Sequence, residues 1–169
     1  MTCEDDAGYD LDMERYWHRM TALGTALLLL ALGTVSGARD TGATSTPWSA
    51  EQALAPAALA ATIRSGEPPP TIVYVGYKPL FRPGHIPGAT FHGPASQPEG
   101  LADLKGWAAT QPRDRVIVVY CGCCPLDDCP NVAAAYTALT QLGFTHVKVL
   151  IVPASFQADW VEKGYRIER

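Results

Sequence analysis

Four of the chain's five cysteines fall within nine residues, in the stretch VVYCGCCPLDDCPN from Val118 to Asn131: Cys121, Cys123, Cys124 and Cys129. Thiols this close support three kinds of chemistry. One is a reactive thiol, because the thiolate is the nucleophile and its pKa falls at a helix N-terminus. The second is a disulfide, the usual state of paired cysteines in an exported protein. Cys121 and Cys124 have the spacing of a redox pair, a Cys124–Cys129 bridge is feasible, and a bridge between the adjacent Cys123 and Cys124 would be strained. The third is a soft-metal site. C-x-C-C-x4-C supplies one C-x2-C hook, Cys121 with Cys124, where structural zinc sites use paired hooks. Thiolates at Cys121, Cys123, Cys124 and Cys129 would suit copper(I) or zinc.

The flanking residues break the symmetry among the four. RVIVVY (115–120) reads as a buried strand. PNVAAAYTALTQLG (130–143) reads as a helix, with Val132, Ala135, Tyr136, Leu139 and Leu142 on one face and Gly143 closing it. Cys121 then lies at the C-terminal end of a central strand, where open α/β sheets hold their ligands. Pro130 suits the first helical position, which makes Cys129 the N-cap. Free N–H groups and the helix dipole at that end favour an anion. Position therefore nominates Cys121 as the nucleophile, within a loop of Gly122, Cys123, Cys124, Pro125, Leu126, Asp127, Asp128 and Cys129. Gly122 lets the chain turn tightly and Pro125 shapes the loop. Asp127 and Asp128 read as outer caps of helix N–H groups, or as charges that raise a nearby thiol pKa.

Other elements complete the picture. TIVYVGY (71–77) and HVKVLIV (146–152) read as strands, with a short strand at 89–92. Helices are expected at Pro56–Arg64 with Gly66 beyond it, at 97–110 through Leu101, Leu104 and Trp107, and at Ala154–Lys163. Ser49 and Gln52 resemble a capping box. A Pro- and Gly-rich loop between the first two strands carries Arg82, His85 and His92 toward the cysteine loop. His85 reads as structural, His92 as a ligand or base if it faces the cysteines, and His146 as a surface residue. Trp107 and Trp160 read as core or edge aromatics. Apolar strands alternating with helices imply an α/β fold, with a mainly parallel sheet flanked by helices on both faces.

Composition sets the outer bounds. With 169 residues, 47% of them apolar and 18% charged, the chain is suited to one globular domain. Of the charged residues, two basic and six acidic ones lie in residues 1–38, so a formal charge of −4 becomes neutrality beyond them. No basic patch points to nucleic acid, and long-range steering of partners is weak. Arg15 and Arg19 precede an apolar core from about Ala22 to Val35. Ser36, Gly37 and Ala38 then match a signal peptidase site before Arg39. That core is shorter than the roughly 20 residues a span needs. Residues 1–38 are thus expected to be an export leader, 39–48 a linker and 49–169 the domain, in the periplasm or outside the cell. A retained leader would instead anchor the protein in the membrane. The acidic MTCEDDAGYDLD is unusual ahead of a leader, and Met13 or Met20 would begin a more ordinary one.

Three stretches together resemble the rhodanese-like domain family, over roughly residues 50–168. They are GHIPGA (Gly84 to Ala89), VIVVYC with its loop and a helix ending ALTQLGF, and the tail HVKVLIVPASFQADWVEKGYRIE. The resemblance implies a parallel α/β sandwich and a sulfurtransferase without cofactor. In it, Cys121 takes a sulfane sulfur as a persulfide and passes it to a thiophilic acceptor in two half-steps. A small sulfur compound and a thiol acceptor are the implied partners. Tyr74, Val75 and Gly76 stand where the family usually has a D-x-R triplet. The loop carries Asp127 and Asp128 and no cation, which disfavours thiosulfate, and Arg82 is the cation of the facing loop. No arginine completes a C-x5-R phosphatase loop. The additional cysteines imply a variant in which Cys123, Cys124 or Cys129 resolves the persulfide as a thiol–disulfide relay. The rival reading is a non-catalytic rhodanese-like module that holds a soft metal or a partner through Cys121, Cys123, Cys124 and Cys129.

Overall fold

A computed structural model describes residues 46–169; the leader and residues 39–45 of the linker lie outside the described residues. Five strands form one sheet: β1 (Ala53–Leu54), β2 (Thr71–Tyr74), β3 (Thr90–Phe91), β4 (Ile117–Tyr120) and β5 (Val147–Leu150). Their order is β1-β5-β4-β2-β3, and every pairing is parallel. The helices are α1 (Pro56–Ser65), α2 (Lys78–Phe81), α3 (Pro98–Ala109) and α4 (Pro130–Gln141). The expected α/β fold with a sheet covered on both faces is the one observed.

The differences are local. β2 stops at Tyr74, although the Val75 N–H still donates to the Tyr120 carbonyl at 2.9 Å. Tyr77 is then the N-cap of α2, which has a proline in its first turn. Ser49 and Gln52 do pair, the Ser49 N–H donating to Gln52 Oε1 at 2.7 Å, but they open a 3-10 turn at Ala50–Gln52. The expected helix at Ala154–Lys163 is a single π-helical turn, Gln157–Val161. The Asp159 carboxylate accepts the Ala154 and Ser155 N–H groups there, at 2.8 and 3.1 Å.

Side chains alternate across the sheet and so divide the core in two. Val73, Val75, Ile117, Val119 and Cys121 pack with Leu104 and Ala108 of α3 and with Val132, Ala135 and Leu139 of α4. Ile72, Tyr74, Val118 and Tyr120 pack on the opposite face with Leu59 of α1, Ile86 and Trp160. β4 is buried along its whole length, and each such side chain contributes about 1.5–3 kcal/mol on leaving water. The strand that leads into Cys121 is thus packed on both sides. Among the described residues, no helix is long and apolar enough to cross a membrane.

Candidate functional site

Cys121 follows β4 and is 2% exposed. Two glycines shape its surroundings, one by turning the chain beside Phe156 and one by leaving space at the sulfur. Gly122 has φ +77°, and a Cβ there would sit 2.6 Å from Phe156 Cβ. The Gly122 carbonyl accepts the Phe156 N–H at 3.0 Å, so the turn after the strand is fixed against the C-terminal segment. A Cβ on Gly76 would lie 2.5 Å from Cys121 Sγ and 2.7 Å from Tyr74 Oη. Gly76, two residues beyond β2, therefore vacates the space beside the sulfur.

The loop then folds back on itself. Leu126 is buried and opens a 3-10 turn, Leu126–Asp128. Cys129 is the N-cap of α4, with Pro130 in the first turn, as the sequence implied. Asp127 and Asp128 are exposed, and α4 has no side-chain capping hydrogen bond. The expectation that these carboxylates cap the helix is not met, because the turn directs them to solvent. Cys121 Sγ lies 3.0 Å from Cys123 Sγ, and Cys123 Sγ lies 3.5 Å from Cys124 Sγ. The sulfurs of Cys121, Cys123 and Cys129 all lie within 4.8 Å of one another. Cys124 adjoins this triangle through Cys123 and also donates to the Asp128 carbonyl at 3.9 Å. The redox-type spacing of Cys121 and Cys124 thus gives way to a contact with Cys123, since Gly122 reverses the chain.

Three sulfurs this close share protons. Hydrogen bonds from Cys121 and then Cys123, helped by the Val132 N–H, bring the Cys129 thiol down to about 3. Cys123 lowers the Cys121 thiol, but Cys129 and burial outweigh it and push Cys121 up to about 12. Cys123 is raised by its bonds to Cys121 and Cys129 and by burial. Within the triangle, negative charge is thus favoured at the helix N-cap and disfavoured at Cys121 and Cys123. Tyr74 and Tyr120 are raised too, first by burial, and both phenols stay neutral.

Asn131 was not singled out by the sequence, where an Asn in a first helical turn looks ordinary. Its side chain is buried, 1% exposed. Oδ1 accepts the Ser96 N–H at 3.0 Å and the Ser96 hydroxyl at 2.8 Å. Those bonds fix the amide so that Nδ2 donates to Cys121 Sγ at 3.8 Å. Asn131→Asp keeps the oxygen that Ser96 needs, removes the donor and adds a negative charge. The thiolate absorbance of the triangle, followed against pH, is expected to move upward by about one to three units. An unmoved profile would show that Asn131 does not act on the sulfurs.

An open cavity of about 410 Å³ reaches Cys121, Gly122 and Cys123. Of the facing-loop residues, Arg82 is exposed and does not line it. His85 Nδ1 lies 3.2 Å from the Phe81 carbonyl and its ring stacks on Phe81 at 3.9 Å; its placement is that of a loop brace. His92 does not line the cavity either; its Nδ1 lies 2.9 Å from Asp103 Oδ2 and its ring stacks on Trp107 at 4.8 Å. His146 is exposed and Trp160 buried. The cation that does line the cavity is Arg169. For a soft metal ion, the fitting ligands are Cys121, Cys123 and Cys129, a three-sulfur set without Cys124.

No family model and no curated protein matches the sequence. Solved structures do resemble the chain. The Alr3790 protein from Anabaena sp. is 26% identical, with 68% of this chain and 81% of that one covered and a TM-score of 0.54. The rhodanese-like domain of Alr3790, solved by NMR, is 24% identical over 69% and 78% of the two chains, with a TM-score of 0.52. The BH2092 protein from Bacillus halodurans is 23% identical over 68% and 74%, with a TM-score of 0.53.

Proposed function

Taking this rhodanese-like fold as the premise, we propose that the protein is a sulfurtransferase that carries sulfane sulfur as a persulfide on Cys121. The observation that carries the reading is the place of Cys121. It directly follows the central strand, lines a cavity, and lies beside an amide donor and a second thiol. Loading begins when Cys121 gives up its proton, which ends on the leaving group of the donor. The Cys121 thiolate attacks the sulfane sulfur of a donor, whose leaving group departs with the electron pair. In one discharge route, an acceptor thiolate attacks the terminal sulfur and the electron pair returns to Cys121 Sγ. In the other, Cys123 attacks Cys121 Sγ and hydrosulfide leaves. The resulting Cys121–Cys123 disulfide is reopened by a reducing thiol. The leader read in residues 1–38 would place this chemistry outside the cytoplasm.

A second reading is favoured by one observation, the closed triangle of Cys121, Cys123 and Cys129. It is a non-catalytic module that holds a soft ion such as copper(I) or zinc. Sulfur transfer to cyanide from several sulfane donors, measured beside the metal content of protein purified without oxygen, separates the two. Turnover by metal-free, reduced protein is the expected result. Stoichiometric metal with no turnover from any donor would replace the first reading by the second.

A further inference from the structure

We propose that the cavity selects an organic thiol acceptor with an apolar body and an anionic end, and that Arg169 binds that end. The proposal rests on the sulfur-transfer reading for its chemistry, but the anion subsite itself does not. The tail is built onto the cavity rim. His85 and Glu168 exchange backbone hydrogen bonds at 2.9 Å in both directions, and the Glu168 carboxylate accepts the Gly88 N–H at 2.8 Å. These contacts tie the tail to the GHIPGA loop. Arg169 Nε then donates to the Pro83 carbonyl at 3.1 Å. A guanidinium held through Nε keeps its two terminal amino groups as donors, a fork that matches a carboxylate.

The rest of the cavity is chemically different. Leu80, Phe156, Val161 and Ile167 contribute apolar wall, and no acidic side chain lines it. Outside the cysteines, Arg169 is the one formally charged side chain of the lining. The volume of about 410 Å³ is that of a pocket for a small organic ligand rather than for an inorganic anion alone. An acceptor with its anionic end on Arg169 and its body on the apolar wall can present its thiolate to Cys121. That thiolate attacks the terminal sulfur of the persulfide, the Cys121–sulfur bond breaks, and Cys121 recovers the electron pair. The products are an organic persulfide and the Cys121 thiolate.

The test compares 4-mercaptophenylacetate with 4-methylbenzenethiol, thiols of similar acidity that differ in the carboxylate. Wild-type protein is expected to favour the carboxylate acceptor about tenfold in kcat/KM. In Arg169→Gln the ratio is expected to fall toward one, and in Arg169→Lys to lie between. A wild-type ratio near one, or an equal ratio in Arg169→Gln, would overturn the proposal. Binding of phenylacetate, which has no thiol, is measured in parallel by amide NMR shifts at Gly84 and Phe156. Phenylacetate shifts that are lost in Arg169→Gln, without turnover of any acceptor, would uphold the subsite and reject sulfur transfer. Turnover with no phenylacetate shifts would reject the subsite and uphold transfer.

Discussion

Replacing Gly76 with alanine is expected to cut sulfur transfer by about a hundredfold or more, the scale of loss from misplacing a reacting group by about 1 Å. The added methyl would lie 2.5 Å from Cys121 Sγ, 2.7 Å from Tyr74 Oη and 2.9 Å from Tyr74 Cζ. The tyrosine has little freedom to yield. Its ring is wedged against Tyr120 at 5.1 Å, Phe81 at 5.3 Å and Phe91 at 6.2 Å between centroids. The sulfur must therefore rotate out of its place. Gly76 is not among the glycines with positive φ, so alanine is compatible with the backbone there. The stability cost is that of overpacking, about 1–3 kcal/mol. Parallel measurement of kcat and thermal unfolding separates the two effects. A folded Gly76→Ala protein with near wild-type kcat would show that the position of the Cys121 sulfur does not govern turnover.

Replacing Cys121 with serine is expected to remove turnover down to background, because a serine oxygen cannot form the persulfide. The same variant is expected to keep its resting thiolate. Serine still offers a hydroxyl donor in the triangle, and Cys129, brought down to about 3, stays ionised throughout the neutral range. Ultraviolet thiolate absorbance should thus persist into acid in both wild type and Cys121→Ser, and fade as pH falls toward about 3. Cys129→Ser removes the low titration, and any remaining thiolate should appear only at alkaline pH. If the acid-stable absorbance disappears in Cys121→Ser instead, the resting charge lies on Cys121.

The larger elements were legible because their signals are long and redundant. β4 and α4 are a continuous apolar run and a helical stripe, with Pro130 and Gly143 as punctuation. Together they mark the strand end at which Cys121 sits. β1, two residues long, carries no period to read; it exists because Ala53 and Leu54 pair with Val149 and Leu150. The site itself was legible only as far as chain order reaches. Cys129 joins the triangle and Cys124 does not, because the 3-10 turn at Leu126–Asp128 decides it. Arg82 looked like the facing cation from its neighbourhood in sequence. Arg169 takes that place through an antiparallel bridge between His85 and Glu168, a contact that no local pattern announces. Asn131 and Gly76 gain their meaning from Ser96, Tyr74 and Cys121, contacts across the fold rather than along it.

Intact-mass spectrometry without oxygen tests most directly whether Cys121 is the sulfur carrier. Reduced protein is treated with a sulfane donor and freed of excess, and the modified residue is mapped by peptide. A gain of one sulfur atom on Cys121 is predicted, absent in Cys121→Ser and retained longer in Cys123→Ser, where discharge through Cys123 is blocked. A sulfur adduct on Cys123, Cys124 or Cys129 with Cys121 unmodified, or no adduct from any donor, would contradict the account.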